Sequence, residues 1–211
     1  MADDTRWPSE EYKLAPNDYL AAFGQTTLLY NLLESVMSHL FVILAPLPED
    51  YALRFFHNLN NRDRIDLLSA FVRKNEKDLI VADAVLHCIL CYGICTENRN
   101  ILMHSIYFDM STIEPGATRL VKRASKDPRR EIHFDVPLKE LRDVADTIAD
   151  VFVYAREIGA FISRRRHRAW LGTTEPLQSS ALPDKPPKPR TLTPDQPGAI
   201  RKGGLPAAST I

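Results

Sequence analysis

Cysteine is scarce: three residues, all between Cys88 and Cys95, odd in number and local in spacing. That excludes a disulfide framework. Charge of either sign is not in excess, since Lys plus Arg and Asp plus Glu both number 27. A globally basic nucleic-acid binder is thereby excluded, and any contact with a polyanion has to come from local patches. Long uninterrupted apolar runs are also lacking. The best candidate, around Leu28 to Leu47, is broken by Glu34 and His39 and reaches Pro46. It is too short to span a membrane and predicts a buried helix instead. The opening MADDTRWPSEEYK has neither the basic start nor the apolar segment of a secretory signal. These absences predict a soluble, cytoplasmic protein with no membrane partner.

What is present is enough apolar sequence for one core-bearing domain, 45% of 211 residues. From Pro16 to about Ala45, Leu29, Leu33, Val36, Leu40 and Ile43 or Leu44 recur at helical spacing. YALRFFHNLN and RDRIDLLSAFVRK follow, with Ile65, Leu68 and Phe71 or Val72 in register. A further helix begins near Glu76, with Leu79, Ala82, Leu86, Ile89 or Leu90 and Gly93 as its stripe. After His104 the period changes, and TRLVKRA and REIHFDV flank the turn signal SKDPR. This predicts a short β-hairpin or extended excursion. Asp135 and Pro137 then open a last long helix whose stripe is Leu138, Leu141, Ala145, Ile148, Val151 or Phe152, Ala155, Ile158 and Ile162.

Past Trp170, eight of the fifteen prolines fall between Gly172 and Ile211. Such a segment buries too little to offset its ordering entropy, which predicts disorder. The expected organisation is an N-terminal arm over 1–15, an all-α bundle of four or five helices over 16–168, and a disordered proline-rich tail over 169–211.

One stretch carries chemistry: CTENRNILMHSIY, Cys95 to Tyr107. Arg99 offers a permanently charged planar fork for phosphate oxygens. His104 can take or give a proton near neutrality, and Asn100 can hold geometry. In one ideal helix Asn100 and His104 share a face, whereas Arg99 and His104 point about 140° apart. The two converge only if the helix breaks, for which TEN at 96–98 is suited, or if a second chain brings its own copy alongside. Read blandly, the same residues suit a helix C-terminus, where cations complement the dipole.

RNILMH, Arg99 to His104, resembles the R-N-x-x-x-H motif of the HEPN family (the higher eukaryotes and prokaryotes nucleotide-binding domains). The helix order from about Pro16 to Arg168 fits that family's small helical bundle. The resemblance implies a homodimer with two motifs facing across a cleft and a metal-independent endoribonuclease in which Arg99, Asn100 and His104 are catalytic. It implies no cofactor and no metal, and a toxin or phage-defence setting. The stretch 105–135 is not part of the family's minimal pattern. Many such bundles are non-catalytic, which gives the alternative: a module that binds nucleotide, RNA or a protein partner.

Further signals are weighed with their plainer readings. Cys88, Cys91 and Cys95 with His87 have zinc-capable atoms, but in LHCILCYGIC they read as core. Lys122, Arg123, Lys126, Arg129 and Arg130 crowd the excursion, and SRRRHRAW places Arg164, Arg165, Arg166, Arg168 and Trp170 at the last helix end. Both clusters can track an RNA backbone, or merely solvate a loop and a helix end. They are expected to flank the motif. Asp83 and His87, four apart, can pair as a base and its orienter, or form a polar helix edge. In the tail, PDKPPKPR has the PxxP spacing that SH3-type grooves accept and offers a route to a protein partner, although a stiff solvated linker explains it too.

Overall fold

The structure, a computed structural model, describes residues 15–109, 118–124, 127–172 and 182–194; at 108, 109, 118, 124 and 127–130 it describes the backbone alone. The expected N-terminal arm therefore lies outside the described residues except for Ala15, which is buried.

Among the described residues five helices and three strands are formed: α1 Asn17–Leu44, α2 Glu49–Asn58, α3 Asn61–Asn75, α4 Leu79–Met103, β1 Ile106–Asp109, β2 Thr118–Ala124, β3 Asp127–Asp135 and α5 Leu138–Trp170. Proline sets several boundaries. Pro16, Pro48 and Pro137 stand at the N-caps of α1, α2 and α5, where the missing N–H costs nothing. Pro46 forces Ala45 out of the helical region, and α1 ends there with Ala45 at ψ 140°. Asn60 and Asp78 cap α3 and α4 by accepting backbone N–H groups of their first turns.

α4 is the enclosed central helix. It runs antiparallel to α1, as successive contacts show: Thr27 Oγ1 to Met103 Sδ at 3.1 Å, Tyr30 Oη to Thr96 Oγ1 at 3.1 Å, and Cys88 Sγ to Met37 Sδ at 4.0 Å. It is also antiparallel to α5, through Tyr154 Oη to Ala84 O at 3.1 Å and the Arg165–Glu76 pair beyond its start. α1 and α5 are thus parallel and pack most extensively on each other, with Arg142 reaching Asp18 near their starts. α3 comes close where Gly93 lets Ile65 in; a Cβ there would meet Ile65 Cδ1 at 3.1 Å. By length and composition α1 and α4 could each cross a bilayer.

The excursion is a three-stranded antiparallel meander in the order β1-β2-β3, one strand more than a hairpin. Tyr107, Leu120 and Phe134 stand opposite one another across it. Leu120 and Phe134 are buried, and Tyr107 packs edge-on against Tyr19 and Phe23 of α1. The sheet therefore sits at the end of the bundle where α1 and α5 begin and α4 ends.

Two expectations need correction. The helix does not break at 96–98: α4 continues through Met103, because Thr96 and Asn98 are buried and hydrogen-bonded. Of the tail, residues 182–194 lie extended against α4, with Leu192 4% exposed. Leu182 also packs on the core, so this part has the apolar anchors that its composition concealed. α5 reaches Trp170, two residues past the expected domain end.

Candidate functional site

Arg99 lies in the last two turns of α4 and turns toward α1. Its Cζ is 5.3 Å from the centroid of the Tyr30 ring, a cation–π arrangement, and its Nη1 donates to Asn100 Oδ1 at 3.1 Å. Its Nε is buried with no hydrogen-bond partner, and no carboxylate pairs with Arg99 among the described residues. A half-buried guanidinium with no carboxylate beside it can contact an anionic group with its planar fork. Tyr30 beneath it is a neutral phenol, its pKa pushed up chiefly by burial. His104 is the C-cap of α4 and is exposed; its backbone N–H donates to Asn100 O at 3.2 Å.

Arg99 and Asn100 are thus brought together, and His104 stands one turn on without touching either side chain. The five-residue offset in unbroken helix keeps Arg99 and His104 about 140° apart in one chain.

The β register decides which basic residues come near. Ile106, the first residue of β1, pairs with Val121, so Lys122 and Arg123 follow at the end of β2 toward which α4 delivers the chain, where they pair with Ile132 and Glu131 of β3. Lys122 is half-buried and Arg123 exposed. The side chains of Arg129 and Arg130, and all of Lys126, lie outside the described residues.

The second basic cluster does not flank the motif. α5 is antiparallel to α4, which carries Arg164, Arg165, Arg166 and Arg168 to the start of α4, about 30 Å along the axis from Arg99. Arg165 is moreover engaged there, its two terminal nitrogens donating to the Glu76 carboxylate at 3.0 Å each. Arg164 and Arg166 are exposed. Trp170 is 80% exposed, with its ring stacked on His167 at 5.9 Å.

The cysteines sit in the core, and burial raises all three thiols, Cys95 to about 12. Among the described residues no three His, Cys, Asp or Glu side chains converge as a metal site. Asp83 and His87 do not pair with each other. Lys185 forms the ion pair with Asp83, and His87 Nε2 donates to Pro186 O at 2.8 Å.

Sequence reading missed Arg64, which is 7% exposed and joins three helices. It donates to Glu34 Oε1 at 2.5 Å and to the Phe56 carbonyl at 2.9 Å, and lies 4.5 Å from the Phe56 ring centroid. Its position next to Ile65 made it look like solvent-facing polar sequence. Glu34, for which the sequence suggested no role, is its partner.

No family profile, no curated protein and no solved structure matches this chain.

Proposed function

We propose that the chain is a HEPN-type, metal-independent endoribonuclease that works as a cytoplasmic homodimer. The observation that carries this reading is Arg99, a half-buried cation with no carboxylate, held by Asn100 and the Tyr30 face one turn before an exposed histidine. An RNA phosphate supplies the missing anion. His104 removes the 2′-hydroxyl proton, the 2′-oxygen attacks phosphorus, and the 5′-oxygen leaves with a proton. The products are a 2′,3′-cyclic phosphate and a 5′-hydroxyl, while Arg99 stabilises the charge gathered on the phosphorane. Lys122 and Arg123 extend the phosphate path along β2.

The second copy is supported by α1. Past its first turn, its exposed residues, Ala21, Gly24, Gln25, Leu28, Asn31, Leu32, Ser35 and His39, include no Asp, Glu, Lys or Arg. The helix's two carboxylates, Asp18 and Glu34, are taken by Arg142 and Arg64. Leu28 and Leu32 are 63% and 50% exposed, beside the Thr27 and Tyr30 that touch Met103 and Arg99. A second α1 laid there brings one chain's His104 toward the other's Arg99, which a single chain cannot do.

The test is incubation of a mixed RNA pool with the protein in EDTA. Cleavage to cyclic-phosphate ends is expected from wild type, with a loss of roughly 10²- to 10⁴-fold in His104→Ala and in Arg99→Ala. Equal cleavage by all three proteins would sink the reading. The divergence of Arg99 and His104 within one chain favours the alternative, a non-catalytic RNA-binding bundle. That alternative predicts RNA retention without cleavage, weakened by Arg99→Ala.

A further inference from the structure

Residues 182–194 are held against α4 by contacts that read an extended backbone. Burial in this segment repeats every third residue: Pro183 and Pro186 are half-buried and Pro189 and Leu192 buried, while Asp184, Lys185, Pro187, Lys188, Arg190 and Thr191 are exposed. That is the period of a polyproline II helix, three residues per turn. The segment keeps step with α4. Lys185 pairs with Asp83, Pro186 O accepts from His87 Nε2, Arg190 O accepts from Asn98 Nδ2 at 2.8 Å, and Leu192 N donates to Asn98 Oδ1 at 2.9 Å. Going from Lys185 to Leu192 at about 3.1 Å per residue covers about 22 Å. Going from Asp83 to Asn98 at about 1.5 Å per residue covers the same, about 22 Å.

Asn98 is the informative residue. It is 3% exposed, and its amide spends its acceptor and one donor on the N–H and C=O of the strap rather than on its own helix bundle. Its side chain satisfies the main chain of an extended segment that has no strand beside it to do so. Main-chain bonds, side chains buried at a fixed repeat and an acidic side chain paired with a lysine are the parts of peptide recognition.

We propose that the α4 face carrying Asp83, His87 and Asn98 is a receptor for extended proline-rich peptides of the pattern Lys-Pro-x-x-Pro-x-x-Leu. The chain's own KPPKPRTL, Lys185 to Leu192, occupies it in cis as an autoinhibitory strap. The partner is a protein segment of that chemistry. Tethering gives the strap an effective concentration on the order of millimolar, so a partner binds only where the strap is released or out-competed. PxxP here is a plug for this domain's own groove, with Pro186 and Pro189 turned inward. The inference does not depend on the ribonuclease reading, because none of its contacts involves Arg99 or His104.

The test uses the full chain with a specific protease site inserted within 173–181, cut after folding. A fluorescent peptide of residues 182–194 is the probe, read by anisotropy. The uncut protein should bind it weakly, and the cut protein should exchange its strap for the peptide with micromolar Kd. Asn98→Ala should weaken that binding at least about tenfold, through two lost hydrogen bonds. A scrambled peptide should not bind. Leu192→Asp in the uncut chain removes the strap's deepest anchor and should open the groove to the same probe, so the idea stays testable if the inserted site disturbs folding. A strap-swapped dimer of the uncut protein also supports exchange. A cut protein that unfolds, or that stays folded yet never takes up the peptide, shows the strap to be permanent core and overturns the proposal. Equal binding of the scrambled peptide overturns it as well.

Discussion

Arg64 and Arg99 are both drawn into the bundle over aromatic rings, but among the described residues only Arg64 has a carboxylate. Removing Arg64 leaves Glu34 and the Phe56 carbonyl without their donor, so Arg64→Ala should cost about 3 kcal/mol in denaturant unfolding. Arg99→Ala releases no partner anion and should cost about 1 kcal/mol or less. A large stability loss at Arg99 would mean that it is a structural prop. The cysteines give a pH dependence. Cys95 is raised by burial from its ordinary 9.0 to about 12, so the unfolded chain gives up that proton first. Above pH 9 the unfolded state binds fewer protons than the folded one, and stability falls as pH climbs toward 12. Melting curves across that window should show the fall, shallower in Cys95→Ala. At this scale the sequence marked Arg99, Asn100 and His104 as candidates but not their direction. Arg99 points where Tyr30 lies, and Tyr30 belongs to a different helix.

How legible an element was depended on how one-sided it is. In α5, Leu141, Ala145, Ile148, Val151, Ala155, Ile158 and Ile162 were expected to face the core, and all are buried. α1 and α4 are apolar nearly all round, so periodicity could not choose a face. Leu33 and Leu40 are buried as expected, but the α1 stripe centres on Tyr19, Ala22, Thr26, Tyr30 and Met37. In α4, Leu79 was assigned to the core and is 82% exposed; of the alternatives Ile89 and Leu90, Ile89 is buried, and Val81, Val85, Cys88 and Tyr92 fill the core with it. The strap escaped notice for a related reason: its anchors repeat at three, a period belonging to neither helix nor strand, and its clamps are on α4. One boundary was visible only in the structure. Asp78, whose carboxylate accepts from Ile80 N at 3.0 Å, starts α4, and Asp78→Ala should lower stability by about 1 kcal/mol in thermal or denaturant melts. No change would mean that packing alone sets that end.

The whole molecule is arranged by the direction of its helices. With α4 antiparallel to both α1 and α5, its C-terminal end and the sheet, with Lys122 and Arg123 on β2, share one end of the bundle, and the arginines after Ile162 share the other. No local pattern contains that fact, which is why two basic clusters adjacent in expectation are far apart in the fold. The same arrangement leaves the uncharged stretch of α1 around Leu28 and Leu32 next to Arg99, which turns toward Tyr30, while His104 is exposed at the C-cap of α4. A composite site across two chains is therefore the central claim. Its most direct test is to unfold and refold Arg99→Ala chains together with His104→Ala chains and measure RNA cleavage in EDTA. Each variant alone should be inactive. In the mixture, heterodimers carry one intact site built from one chain's Arg99 and the other's His104, and activity should return to about a quarter of wild type. Heterodimers that form, as seen by mass spectrometry, yet cleave nothing while wild type does would contradict a shared site. Wild type that cleaves nothing would contradict the ribonuclease itself.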